Sequence, residues 1–208
     1  MSEKKDIKCV IIGDSGVGKT SLLITRTTKV FPEDVPKLLE FAKTTLRHVS
    51  LRLIIVQKLT SRRSAGREYT LQLWDTTWEQ GYTRLCSLWY PHTDVFLFCF
   101  SIDSWDSLDR VWERWYPEIL HMCPDVPSVL VGLKTDLRDD SDMVRELESK
   151  KLGPVKFDDA AKLARDLRCA YVECSAREGQ GVDKVFEEAL AAALLPRKVA
   201  KKSPCRIL

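Results

Sequence analysis

The 208-residue sequence predicts an α/β fold, a mostly parallel, doubly wound sheet with flanking helices. Three observations carry that expectation. The runs KCVIIG, DVFLFCFS and SVLVGL are apolar at consecutive positions, as strands buried on both faces require. Amphipathic segments of helical period alternate with such runs. A glycine-rich loop separates the first strand from the first helix, and in sheets of this kind ligands gather at the carboxyl ends of the strands.

Each element follows in order. KCVIIG, Lys8 to Gly13, is a buried strand ending in glycine, and a helix is expected from about Lys19. HVSLRLIIVQKL and REYTLQLW read as two strands joined by the polar turn TSRRSAG. DVFLFCFS is a further buried strand. SWDSLDRVWERWYPEIL then has helical spacing, with Ser104 placed to cap it. SVLVGL and AYVECS are the last strands, and KFDDAAKLARDL and GVDKVFEEALAAALL are amphipathic helices. The tail from Pro196, PRKVAKKSPCRIL, has no apolar periodicity and is expected to be flexible, so residues 1–195 form the domain and 196–208 the tail.

Composition narrows the function classes. An apolar fraction of 44% and a charged fraction of 30% belong to a soluble globular domain. A net charge of +3 is too mild to make nucleic acid a partner. Seven dispersed cysteines without a C-x-x-C pair read as reduced thiols of a cytosolic protein. No run reaches the length of a membrane-spanning helix, and MSEKKDIK has no secretory apolar region. His48, His92 and His121 lack metal-ligand spacing, and the six tryptophans read mostly as packing residues.

The loop GDSGVGKT (Gly13, Asp14, Ser15, Gly16, Val17, Gly18, Lys19, Thr20) matches G-x-x-x-x-G-K-[ST] between a strand and a helix. Glycines let backbone N–H groups close around phosphate oxygens. Lys19 supplies a point charge on the outer phosphates, and the Thr20 hydroxyl is a magnesium ligand. Beyond the fifth strand, LVGLKTDL places Lys134 and Asp136 in a K-x-D pattern. A carboxylate there accepts from the N1–H and exocyclic amine of guanine, a pair that adenine does not offer. ECSAR (Cys174 to Arg177) follows the last strand, where backbone groups meet the base oxygen. In this order the motifs read as a site for GTP or GDP with Mg2+.

These residues resemble the Ras superfamily of small GTPases, whose fold is the P-loop NTPase G domain, and most of all its Rho branch. The resemblance rests on KCVIIGDSGVGKTSLL, PHTDVFLFCFS, RWYPEI, LVGLKTDLRDD and KLARDLRCAYVECSA. The segment DDSDMVRELESKKLGPVKF, around 139–154, falls where Rho proteins carry an inserted helix. The resemblance implies a lipid-anchored switch on the cytoplasmic face of the plasma membrane or endomembranes, with a cytosolic pool. It binds guanine nucleotide, recruits effector proteins and responds to exchange factors. It also implies that Phe31 stacks on the base, the alternative being a core aromatic. Asp75 would hold a magnesium-bound water. Lys134, Asp136, Leu137, Ser175, Ala176 and Arg177 would form the base pocket, with Ser21 beside the phosphate loop.

Departures from the family pattern concern catalysis. The first switch loop of the family carries a threonine after a proline, whereas FPEDVPKLLEF has Lys37 after Pro36. D-T-A-G-Q becomes D-T-T-W-E, so the switch glycine is Trp78 and the water-positioning glutamine is Glu79. A register slip would bring Gln80 toward that place, but Gly81 then follows it instead of preceding it. Between Pro36 and Trp74 the chain is longer than Rho relatives. From Lys43 to Glu68 it carries seven basic residues against one acid. That stretch reads first as an elongated hairpin with a solvated tip, the alternative being a contact with anionic lipid or an acidic partner. Thr44 or Thr45 replaces the missing threonine only if this loop folds back.

The reading that follows is a GTP-loaded signalling switch with weak or absent hydrolysis. Its alternatives are an active, cycling GTPase and a nucleotide-free scaffold. In CRIL, Cys205 and Leu208 fit C-a-a-X of the geranylgeranyl type, with Arg206 an unusual second residue. Arg197, Lys198, Lys201 and Lys202 supply the second membrane signal that a single lipid chain needs.

Overall fold

The computed structural model describes residues 5–33, 54–61, 67–75 and 89–195. Six strands form one sheet in the order β2-β3-β1-β4-β5-β6. They are β1 (Lys5–Gly13), β2 (Ile54–Ser61), β3 (Arg67–Asp75), β4 (Val95–Ser101), β5 (Ser128–Leu133) and β6 (Ala170–Cys174). All neighbours are parallel except β2 and β3, which pair antiparallel as a hairpin. β2 continues through Ser61, so the polar segment expected to be all turn contributes its first residues to the strand. The part of the basic stretch before Ile54 and residues 62–66 lie outside the described residues.

Alternation along the central strands builds a core on each face. Ile7, Cys9 and Ile11 of β1 and Val95, Leu97 and Cys99 of β4 point to one side. There they meet Leu22 and Leu23 of α1 (Lys19–Thr28) and Val185, Phe186 and Ala189 of α6 (Val182–Leu194). Val10, Ile12, Phe96, Phe98 and Phe100 point to the other, onto the helices between β4 and β5 and onto α5 (Phe157–Asp166). This second core is aromatic, with Phe100 stacked on Tyr171 and the Tyr90 and Phe96 rings edge to face. From Cys9 to Ile12 of β1 and from Val95 to Phe100 of β4 every residue is apolar and buried, because neither face meets water there.

The segment after β4 departs from the single helix expected. It runs as α2 (Trp105–Arg110), a π turn over Val111–Trp115 and α3 (Tyr116–Met122). Ser104 caps α2 by accepting from the Ser107 N–H. The wide turn closes on the Tyr116 N–H, which donates to the Val111 carbonyl. Its physical reason lies one residue on: Pro117 has no N–H and its ring crowds the preceding turn, so the ladder widens there instead of breaking.

Between β5 and α5 the chain forms a short 3₁₀ turn, Thr135–Arg138, and then α4 (Ser141–Ser149). Asp140 caps α4 by accepting from the Asp142 and Met143 N–H groups. Leu147 anchors it, and the chain leaving it is fastened by Trp105, whose indole N–H donates to the Gly153 carbonyl at 2.7 Å. α4 thus lies within the segment 139–154.

The cysteines of the described residues are free thiols. Burial pushes Cys9 and Cys99 well up and lifts Cys174 to about 12 and Cys169 to about 11, so they are protonated packing groups and not nucleophiles. No helix among the described residues is long and apolar enough to cross a membrane.

Candidate functional site

β1 has β3 on one side and β4 on the other, so the strand order reverses at its carboxyl end, where a doubly wound sheet leaves a crevice. The loop from Gly13 to Thr20 sits there. Gly13 (φ 152°) has no room for a side chain, because a Cβ would lie 2.1 Å from the Cys99 carbonyl oxygen. Gly16 (φ 80°) instead faces open space, and Gly18 (φ 109°) turns the chain into α1. The result is a concave run of backbone leading into the amino end of a ten-residue helix with no acid in its first turn. That end attracts anions.

Lys19 is the first helical residue and is only 5% exposed. Its ammonium donates to the Gly13 carbonyl at 2.8 Å and the Asp14 carbonyl at 2.6 Å. An ammonium has three N–H bonds, so one remains to meet a phosphate in the cradle. Burial pushes the Lys19 pKa down, opposed chiefly by the negative charge of Asp75. Asp75 ends β3 and is 1% exposed, and its register opposite Ile11 brings it to the loop. There the Thr20 hydroxyl donates to the Asp75 carboxylate at 2.6 Å.

These donors fit magnesium. Thr20 and Asp75 together offer an oxygen-only set beside the phosphate cradle, as that hard cation prefers. Thr20 would bind it through the hydroxyl and Asp75 through a water, and the ion would supply charge neutralisation to the outer phosphates.

A second pocket adjoins the loop. Gly18, Ser21, Phe31, Leu133, Lys134, Asp136, Leu137, Ala176 and Arg177 line one cleft. Sequence reading named eight of these nine. Leu133 it missed, because the last residue of a strand buried on both faces carries no polar signal. Phe31 is half-buried in that lining. Lys134 adopts a left-handed backbone (φ 61°), and its stem lies about 3.9 Å from where a Cβ on Gly18 would stand, on the cleft that Gly18 also lines. Its ammonium lies 3.6 Å from Asp103.

Asp136 stands on the 3₁₀ turn. The Ser175 hydroxyl donates to one of its carboxylate oxygens at 2.6 Å, leaving the other for a base edge. Ser175 is fully buried and is held by the loop it starts: its N–H donates to the Gln180 carbonyl, and its hydroxyl accepts from the Glu178 N–H. Ser175 therefore orients the carboxylate and does not line the cleft.

A network behind the turn escaped sequence reading. Arg138 forks onto Glu173 with bonds of 2.8 and 2.7 Å, and the Tyr171 hydroxyl donates to the same carboxylate at 2.7 Å. Burial alone would raise Glu173, but the Arg138 and Tyr171 hydrogen bonds hold it below the usual carboxylate range. Burial and the Glu173 partnership push the Tyr171 phenol up. The network ties the turn that bears Asp136 to β6. An alternating EC at the end of a strand and an arginine two residues after the K-x-D were the only signals.

The phosphate loop has a further partner. The indole N–H of Trp115 and the guanidinium of Arg110 donate to the two carboxylate oxygens of Asp14 at 3.0 and 2.6 Å. Both carboxylate oxygens of Asp14 are thus engaged. Trp78, Glu79, Lys37, Gln80 and Gly81, together with Cys205 and the basic tail, lie outside the described residues. His92 and His121 are exposed.

The family model described as the Ras family matches residues 8–195 of this chain. The matched span contains both the phosphate cradle and the base cleft.

Proposed function

The chain belongs to the Ras family, whose members are GTP-binding signalling switches, and on that premise we propose that it is a Rho-type switch held in its GTP state by slow hydrolysis. The observation that carries the nucleotide reading is the continuity of the site. Gly18 and Ser21 line the same cleft as Lys134 and Asp136, so a carboxylate aimed by Ser175 adjoins the phosphate cradle that Lys19 holds. The Rho assignment is supported by α4 in the segment between the 3₁₀ turn and α5 and by the sequence stretches that resemble that branch.

Slow hydrolysis follows from the residues at the switch positions. Rate in this chemistry comes from placing water and stabilising charge on the γ-phosphoryl group. An intact Ras-type site manages about 10⁻⁴ s⁻¹ unaided. Here Glu79 is anionic and cannot donate a hydrogen bond to position water. A unit charge ~4 Å from one phosphate charge costs about 4 kcal/mol at an effective dielectric of 20, taken as an upper bound. Trp78 keeps a backbone N–H but lacks the conformational freedom of glycine. Lys37, protonated, has no lone pair to take threonine's place at the metal.

Two measurements test the reading. Chromatography of denatured, freshly purified protein is expected to release guanine nucleotide in near-stoichiometric amount, and its absence would leave the scaffold alternative. Single-turnover hydrolysis of preloaded GTP is expected below the Ras-type rate and faster in Trp78→Gly/Glu79→Gln. A wild-type rate at or above that value refutes slow hydrolysis and favours the cycling enzyme.

Effector recruitment at a membrane is the outcome we propose for the GTP state, with Cys205 as the lipidation site. Four basic residues upstream add about 1 kcal/mol each near an anionic leaflet. Cys205→Ser is expected to shift the protein from membrane to cytosol in cell fractionation. An unchanged distribution would remove this anchor.

A further inference from the structure

We propose that Trp115 and Arg110 are positioning residues for the phosphate loop: by holding both carboxylate oxygens of Asp14, they set how long a nucleotide stays bound. The inference rests on the nucleotide-binding reading above. Asp14 is held at three points. Its backbone carbonyl accepts from Lys19, one carboxylate oxygen accepts from Trp115, and the other accepts from Arg110. Its side chain is 11% exposed and carries a negative charge within the very loop that must receive phosphate anions. Paired with Arg110, that charge is compensated and aimed away from the cradle. Released, it would be a like charge beside the phosphates and a rival for the Lys19 ammonium.

The π turn is what makes the clamp. Arg110 immediately precedes it and Trp115 is its last residue, so the widened ladder presents both to one carboxylate. Trp115 is 1% exposed, with the Arg114 guanidinium over its ring at 4.4 Å, which fixes the indole in place. A tryptophan whose bulk serves the second core thus turns its only polar atom onto the phosphate loop. Turns of this kind recur at functional sites.

The test is release of a fluorescent GDP analogue from the full-length, magnesium-loaded protein, chased with excess unlabelled GDP. Trp115→Phe keeps the ring and removes the N–H, and is expected to speed release roughly tenfold, the range for a buried hydrogen bond to a charged group. Arg110→Ala, at an arginine whose side chain is 54% exposed, should speed it roughly two- to fivefold, as partly solvated pairs do. Arg110→Lys should restore most of that loss. In an Asp14→Ala background Arg110→Ala should add nothing, since the group it holds is gone.

A residue of merely structural value would lower the melting temperature without this pattern in release. Wild-type release rates in Arg110→Ala and Trp115→Phe would overturn the clamp, and so would additive effects in the Asp14→Ala background. If Trp115→Phe does not fold, the Arg110 and Asp14 cycle decides. A wild-type chain that holds no GDP would overturn the nucleotide reading and this proposal together, whereas normal loading with flat variants overturns the clamp alone.

Discussion

Lys19→Ala is expected to emerge from purification folded and free of nucleotide. The ammonium is buried at the amino end of α1, held by the Gly13 and Asp14 carbonyls, and desolvation has already weakened its attachment to its proton. Phosphate reaching the cradle therefore meets a cation whose solvation has been stripped in advance and whose position is fixed. Such an ion pair is far stronger than one between mobile surface groups. Removing one partner of a buried charge pair costs about 3–5 kcal/mol, or roughly two to four decades of affinity. The fold should survive, because the helix is held by Leu22 and Leu23 in the core and by Arg26 and Lys29 on Asp183 of α6. Denaturing chromatography reads the nucleotide, and circular dichroism reads the fold. A folded variant retaining one guanine nucleotide per chain would remove Lys19 from the phosphate site.

Asp136→Asn should trade guanine for xanthine. Guanine offers two adjacent donors, N1–H and its exocyclic amine, and the carboxylate of Asp136 accepts. One of its oxygens is aimed by the Ser175 hydroxyl. An amide at that place offers one acceptor and a donor, which suits the carbonyl that xanthine carries instead of the amine. Losing a hydrogen bond to a charged group costs about 1.5–3 kcal/mol, roughly one to two decades in GTP affinity. XTP should gain over the same range, so the ratio of the two moves further than either affinity. Direct competition between GTP and XTP measures it. Unchanged GTP binding in the variant would sink the base-pocket assignment.

The sequence alone determined the features that short-range geometry controls. The run KCVIIG ends in Gly13, whose space a Cβ cannot share, and the loop after it needs glycine at Gly16 and Gly18 for its positive φ angles. Consecutive apolar residues marked β4 and β5 because strands buried on both faces have no polar side. Ser104 announced α2, since a hydroxyl before a helix meets an orphan N–H three residues on. Lys134 and Asp136 followed from a motif just past a strand end, where the sheet topology brings such residues together, while Phe31 came only through the family resemblance. Even the π turn left a mark in Pro117, whose missing N–H reading by period alone overlooks.

Only the tertiary structure decided which side chains meet across the fold. Trp115 looks like any core tryptophan in sequence; its indole reaches Asp14, 101 positions away, because β1 and β4 are neighbours and the π turn rotates it toward the loop. Arg138 finds Glu173 across 35 positions only once β5 and β6 pair in register. Periodicity and capping depend on backbone geometry within a turn or two of helix, so they are written in adjacent residues. A pairing over tens of residues depends on strand order and register, which neither partner encodes by itself. That is why the cradle and the cleft were legible in the chain, and the contacts that hold them in position were not.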